Sequence, residues 1–263
     1  MTRAESLAPV LLAVAVAVGC GGGRPQEAAA GTDHPLQLAE APAAAPPGSS
    51  GGSASVTGTV RFEGTAPAAE KIRMDADPVC QQQHTSPMHS EEVVVNDNGT
   101  LKNVFVYVKE GVKGSYPPPS APVRLEQIGC WYAPHVFGIQ VGEPLEIVNN
   151  DATLHNVNVK PTINTSFNIA QTVKGMKSTK VFSKPELPVR FKCNVHPWMN
   201  AYAGVLEHPF FSVTGAEGSF AITGLPAGTY VLEAWHEKYG TQTQTISVDD
   251  GESKTIELTF KAQ

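Results

Sequence analysis

From Ser55 onward, no window of the 263-residue sequence carries apolar residues at a sustained helical spacing, and proline is scattered throughout. A chain written this way does not build helical layers. Its regular units are short runs rich in β-branched and aromatic residues, each bounded by Gly, Pro, Asn or Asp. The stretch "EEVVVNDNGTLKNVFVYV" reads as two such runs joined by Asn98-Gly99, a strong hairpin-turn signal. The stretches "GIQVGEPLEIVNN", "GSFAITGLPAGTYVLEAW" and "TQTISVDDGESKTIELTF" continue the pattern. The expected fold class is all-β, with strands arranged in sandwiches.

The first residues follow different rules. Residues 1–19 place Arg3 ahead of an apolar run from Leu7 to Val18, which is too short to span a bilayer comfortably and reads as an export signal. Its ending, "AVGC", resembles the cleavage box of bacterial lipoproteins. That resemblance implies a lipidated Cys20 as the mature first residue, anchored to a membrane rather than spanning it. Ordinary cleavage and a soluble product are the alternative. From Gly21 to Ala54 the chain is mostly Ala, Gly, Pro and Ser, too poor in apolar surface to offset the entropy of ordering. As a flexible coil it would reach about 30 Å. The expected location is the cell envelope, on the periplasmic or surface side. With a net charge of −6 and no block of Lys or Arg, nucleic acid is not an expected partner.

The two ends of the β-rich region read as one unit. "SVTGTVRFEGTAP" opens it and "GSFAITGLPAGTYVLEAWHEKYG" begins its close. Gly58, Val60, Gly218, Phe220, Gly224, Leu225, Pro226, Gly228 and Tyr230 resemble the pattern of the carboxypeptidase regulatory-like (transthyretin-like) β-sandwich. Between these ends the segment from Ala121 to Val213 has a different character. The expected organisation is a leader (1–19), a linker (20–54), a split outer sandwich (55–120 and 214–263) and an inserted sandwich (121–213). The outer fold serves many roles and says little about activity. A carbohydrate partner is conceivable for it but has no supporting motif.

The inserted segment carries the chemistry. In "VRFKC", Val189, Phe191 and Cys193 alternate with Arg190 and Lys192, so Cys193 lies on the apolar face of a strand. Alone, it would read as core. His196 and Met199 follow in "FKCNVHPWM", and His155 follows a strand and polar turn in "LEIVNNDATLHNV". A thiolate, a thioether and two imidazoles are a soft-to-intermediate donor set. Mg or Ca would require oxygens, and structural zinc uses no Met. Two His and one Cys with a weak axial Met is the blue-copper arrangement.

At these residues the segment resembles the cupredoxins, of the amicyanin and plastocyanin type. The "C-x-x-H-x-x-M" loop and the upstream "LEIVNNDATLHNV" carry the likeness, although "PELPVRFKC" lacks the family's usual Gly and first Tyr before the Cys. The resemblance implies one type 1 copper with His155, Cys193 and His196 as equatorial ligands and Met199 as the distant axial one. It also implies that the Asn156 backbone N–H donates to the Cys193 sulfur and tunes the potential. His196 would be the more exposed ligand, with Pro197 and Trp198 in an apolar docking rim. Four protein donors leave no open position for a substrate, so no catalytic residue is expected. The eight histidines form no His-x-His pair, unlike multicopper oxidases.

The expected function is single-electron transfer between redox protein partners, cytochromes among the candidates. A copper-holding chaperone or sensor, and a carbohydrate- or protein-binding module with a vestigial cupredoxin site, are the alternatives. If Cys20 is lipidated and Cys193 binds metal, Cys80 and Cys130 are left to form a disulfide; two buried thiols are the other option. His135, just ahead of the cupredoxin-like strands, is a candidate outer-shell group, or else an ordinary loop histidine. His84, Met88 and His89 near Cys80 resemble a loose copper-capturing loop, but read first as an exposed turn beside a disulfide.

Overall fold

The computed structural model describes residues 51–262, so the expected leader, Cys20 and all but the last residues of the linker lie outside them. Alternation decides the first strand, β1 (Ala54–Glu63). Ala54, Val56, Gly58 and Val60 face inward while the intervening Ser and Thr residues are part-exposed. It pairs antiparallel with β13 (Ser219–Leu225) and parallel with β16 (Ser253–Lys261), so the two ends of the described chain share one sheet.

Facing that sheet is another with the order β12-β2-β14-β15, formed by β12 (Phe211–Val213), β2 (Phe105–Glu110), β14 (Gly228–His236) and β15 (Gly240–Val248). Val56, Val60, Val106, Phe220, Leu232 and Phe260 are among the side chains buried together here. Full burial of each such side chain stabilises by about 1.5–3 kcal/mol.

A further pair of sheets encloses a separate core. One has the order β4-β3-β6-β9: β4 (Trp131–Ala133), β3 (Val123–Ile128), β6 (Pro144–Asn149) and β9 (Lys177–Val181). The other has the order β5-β11-β10-β7-β8: β5 (Val136–Gln140), β11 (Asn200–Leu206), β10 (Glu186–Lys192), β7 (His155–Val159) and β8 (Phe167–Gln171). Leu125, Ile139, Ile147, Val157, Phe191 and Val205 belong to this core, and Cys193 and Met199 join it. The described residues are thus all-β but for one short helix.

A third apolar cluster joins β2 and β14 to β5 and β11, with Phe105, Tyr107 and Trp235 against Val136 and Leu206. Two glycines make the approach feasible. Gly138 and Gly204 are partners in the parallel β5–β11 register. A Cβ at Gly138 would come 2.1 Å from the Phe211 ring, and one at Gly204 would come 2.4 Å from Phe105. The two phenylalanine rings stack on each other with centroids 5.5 Å apart.

Several expectations are corrected. Residues 91–95 form no strand; Val95 makes an isolated bridge to Leu101 across the Asn98-Gly99 turn. The turn is present, with Gly99 at φ +77°, but the flanking run is tied elsewhere. A five-residue helix, α1 (Pro78–Gln82), stands where no helix is expected. Asp77 caps it and Pro78 occupies its first turn, a start signal strong enough to act without an apolar stripe. Met74 and Cys80, expected in the outer sandwich, pack instead into the core of Phe191 and Cys193. Conversely β12, expected at the end of the inserted segment, pairs with β2 of the outer sheet.

Candidate metal centre

Two chain reversals bring the donors together. Strand β10 delivers Cys193 to the core side, and the chain then turns tightly before β11. Cys193 N–H donates to Met199 O at 3.1 Å, Met199 N–H to His196 O at 3.0 Å, and His196 N–H to the Cys193 sulfur at 3.4 Å. The second reversal lies between β6 and β7. There the Asn149 side chain accepts Asp151 N–H at 2.9 Å and donates to Thr153 O at 3.0 Å, which sets His155 at the first position of β7.

The result is a convergence of three donors. His155 Nδ1 and His196 Nδ1 face each other at 2.9 Å, and the Cys193 sulfur lies 3.9 Å from His196 Nδ1. Potential ligand atoms of His155, Cys193 and His196 all fall within 4.8 Å of one another, and all three residues are buried. Met199 closes the same turn and is fully buried. Two overlapping groupings, Asp77–Cys80–His196 and Cys130–Asp151–His155, include cysteines that are joined in a disulfide and offer no thiolate.

The other ring nitrogens explain why this arrangement suits a cation. His155 Nε2 lies 2.8 Å from Asp151 Oδ2, and His196 Nε2 lies 3.0 Å from Asp77 Oδ2. A carboxylate accepts only, so each Nε2 carries the hydrogen and each Nδ1 turns a bare lone pair inward. Two lone pairs opposed at 2.9 Å beside a sulfur are stable only around a positive centre, whether a proton or a metal. A carboxylate behind each imidazole also fixes ring orientation and raises ligand basicity. The residues therefore fit a soft or borderline metal ion.

The electrostatics agree. Burial alone would push the Cys193 thiol up, but the adjoining His155 and His196 imidazoles, with the backbone at Asn156 and His196, bring it down to about 5. Burial would push His155 down, but the Asp151 carboxylate and the Cys193 sulfur raise it to about 9. Asp151 is itself held low, against its burial, by His155 and by the N–H groups of Cys130 and Gly129.

The residues singled out in the sequence fall as follows. Asn156 lies beside Cys193: its side-chain oxygen is 3.6 Å from the sulfur and accepts Asn194 N–H at 2.6 Å. Cys80 and Cys130 are disulfide-bonded. His196 is not an exposed ligand: it is 2 % exposed, because α1 and the disulfide lie over its outer edge. Trp198 is half-buried and donates its indole N–H to Cys130 O at 3.0 Å rather than standing free on a rim. His135 bonds Glu237 through Nε2 and lies 3.1 Å from Asn200 O through Nδ1, bracing the residue after Met199. Asp77 and Asp151 were not anticipated. Asp151 was within reach of sequence reasoning, four residues before His155 in a turn, whereas Asp77 lies 119 residues from His196.

Two kinds of comparison with known proteins gave matches. Residues 207–261, covering β12 to β16, match the carboxypeptidase regulatory-like domain family. The solved structures found to be similar include cupredoxins. A copper-containing nitrite reductase from Thermus scotoductus SA-01 is 26% identical, with 38% of this chain and 25% of that chain covered and a TM-score of 0.31. This chain thus spans a quarter of that enzyme's length. A copper(I) amicyanin mutant is 16% identical over 32% of this chain and 81% of that one, with a TM-score of 0.29. A purple cupredoxin from Nitrosopumilus maritimus is 21% identical over 33% of this chain and 99% of that one, with a TM-score of 0.28. No curated protein matches the chain.

Proposed function

We propose that this protein is an exported type 1 copper protein that carries single electrons between redox protein partners, cytochromes among them. The observation that carries the reading is the opposed pair of Nδ1 atoms of His155 and His196 beside the Cys193 sulfur, each imidazole backed by a carboxylate. Copper held in such a set supplies a one-electron couple between its cupric and cuprous states.

The chain's own part is to hold the donors still. His155 and His196 keep their tautomers through Asp151 and Asp77. The low Cys193 pKa keeps a thiolate available, and Met199 supplies the thioether. With all four positions taken by protein, no substrate binds the metal, and the act is electron transfer rather than bond making. A lipid on Cys20 would tether the folded part to a membrane of the cell envelope. The cupredoxin-like sandwich is read as an insertion into the outer one, which serves as scaffold or partner-binding module.

The test is to add Cu(II) to the purified full-length protein in detergent. Wild type should turn intensely blue with one equivalent bound, and Cys193→Ser should stay colourless. A colourless wild type that binds zinc stoichiometrically would overturn the reading. Retention of copper through repeated oxidation and reduction separates a carrier from a chaperone, which would release it to an apo-partner.

A further inference from the structure

The segment from Glu70 to Ser90 is a closed loop. Ser90 N–H donates to Glu70 O at 2.8 Å and Ile72 N–H to Met88 O at 2.8 Å, so its two ends are tied to each other. Between those ends, α1 lies against the outer edge of His196 and is attached there at three points. Asp77 bonds His196 Nε2 at 3.0 Å and accepts the Thr153 hydroxyl at 2.9 Å. Cys80 is bonded to Cys130, and its sulfur lies 3.6 Å from His196 Nε2. His84, just past the helix, bonds Gly129 O at 2.7 Å through Nε2.

We propose that the Glu70–Ser90 loop is a lid clamped over the metal centre, with Asp77 as the residue that positions His196 and the Cys80–Cys130 disulfide as the latch. The proposal rests on the copper reading above. The two oxygens of Asp77 divide the work. Oδ1 caps α1 by accepting Val79 and Cys80 N–H at 2.8 and 3.3 Å, while Oδ2 takes His196 and Thr153. One carboxylate thus links helix formation to ligand orientation. The latch also reaches the other ligand, since Cys130 N–H donates at 2.8 Å to Asp151, which holds His155. Both imidazoles are therefore fixed by carboxylates adjoining the two halves of one disulfide. Closed in this way, the lid leaves His196 only 2 % exposed, and a metal in the centre should exchange slowly.

Asp77→Asn separates the two roles. Its side-chain oxygen still caps α1, since Asn caps as well as Asp, but an amide N–H now meets the His196 Nε2–H and the contact is lost. The Cys80→Ser/Cys130→Ser double variant removes the latch alone. Two readouts apply to full-length protein. The first, on copper-loaded protein, is the rate of copper loss to a small chelator. It should rise about tenfold or more in both variants, the scale seen when a ligand's outer partner is lost, and the reduction potential of Asp77→Asn should rise as His196 loses its anionic partner. The second uses metal-free protein and diethyl pyrocarbonate, with His196 modification followed by peptide mass. Wild type should be protected and the double variant modified.

Unchanged chelation rates and unchanged His196 protection in folded variants would overturn the lid. If the double variant does not fold, the copper-loss rate of Asp77→Asn and the protection of His196 in metal-free wild type decide. A wild type that takes up no copper would defeat the copper reading instead, and the labelling of metal-free protein would still decide whether the lid covers His196.

Discussion

Asp151 holds His155 Nε2 at 2.8 Å with the same carboxylate that accepts the backbone N–H groups of Gly129 and Cys130, each at 2.8 Å. Both side chains are fully buried. One buried charge thus satisfies three donors, two from the turn between β3 and β4 and one from the start of β7, and its removal should be felt in folding and in metal binding together.

In Asp151→Asn, an amide faces donors that need an acceptor. Hydrogen bonds to charged groups contribute about 1.5–3 kcal/mol each, and an unsatisfied buried donor adds its own desolvation cost. We expect urea denaturation of the metal-free variant to show a loss of about 3 kcal/mol, and copper affinity to fall about 10–100-fold. Wild-type affinity in this variant would show that Asp151 does not position His155.

Gly138→Ala should strain the contact between the two sandwiches. The added Cβ would lie 2.1 Å from the Phe211 ring, and overpacking of this kind costs about 1–3 kcal/mol. Phe211→Ala in the same background should recover part of that loss by vacating the space. Thermal denaturation of the two single variants and the double forms the cycle, and strict additivity would contradict the assigned contact.

The Cys80–Cys130 bond closes a loop of 50 residues. In the chain-entropy account, that constraint stabilises the folded state by about 4 kcal/mol. The Cys80→Ser/Cys130→Ser protein should therefore unfold at markedly lower urea concentration, and reductant should have no further effect on it.

The metal-free protein should show a distinctive pH profile. Cys193 drops from 9.0 to about 5, so its contribution is fully present above 9.0 and lost as pH falls through about 5. His155 rises from 6.5 to about 9, so its contribution is fully present below 6.5 and lost as pH rises through about 9. The sum climbs from pH 5 to 6.5, by at most about 1.4 kcal/mol per unit, and is level from there to pH 9, where the two slopes cancel. Denaturation midpoints across that range should follow this shape. In Cys193→Ser the low-pH climb should vanish, leaving a decline above pH 6.5; an unchanged profile would refute the thiolate–imidazolium pairing.

Much of the fold was written locally. Alternation such as Val56-Thr57-Gly58-Thr59-Val60 specifies both a strand and its buried face, since a period of two needs no distant partner to be recognised. The Cys193-x-x-His196-x-x-Met199 spacing likewise implies a tight turn presenting its donors to one place. The helix start at Asp77-Pro78 was equally local but is a weak signal for five residues surrounded by strands. The run at 91–95 misled because β propensity describes fitness for a sheet, and here no neighbouring strand offered a ladder.

The sequence by itself determined the all-β class, the strand faces and the kinds of donor available at His155, Cys193, His196 and Met199, because each depends on residues a few positions apart. Only the tertiary structure decided that His155 and His196 oppose their Nδ1 atoms, that Asp77 arrives from 119 residues away to cover one of them, and that Gly138 and Gly204 receive the rings of Phe211 and Phe105. Those contacts are set by how sheets and loops close on one another in space, where separation along the chain carries no information about distance.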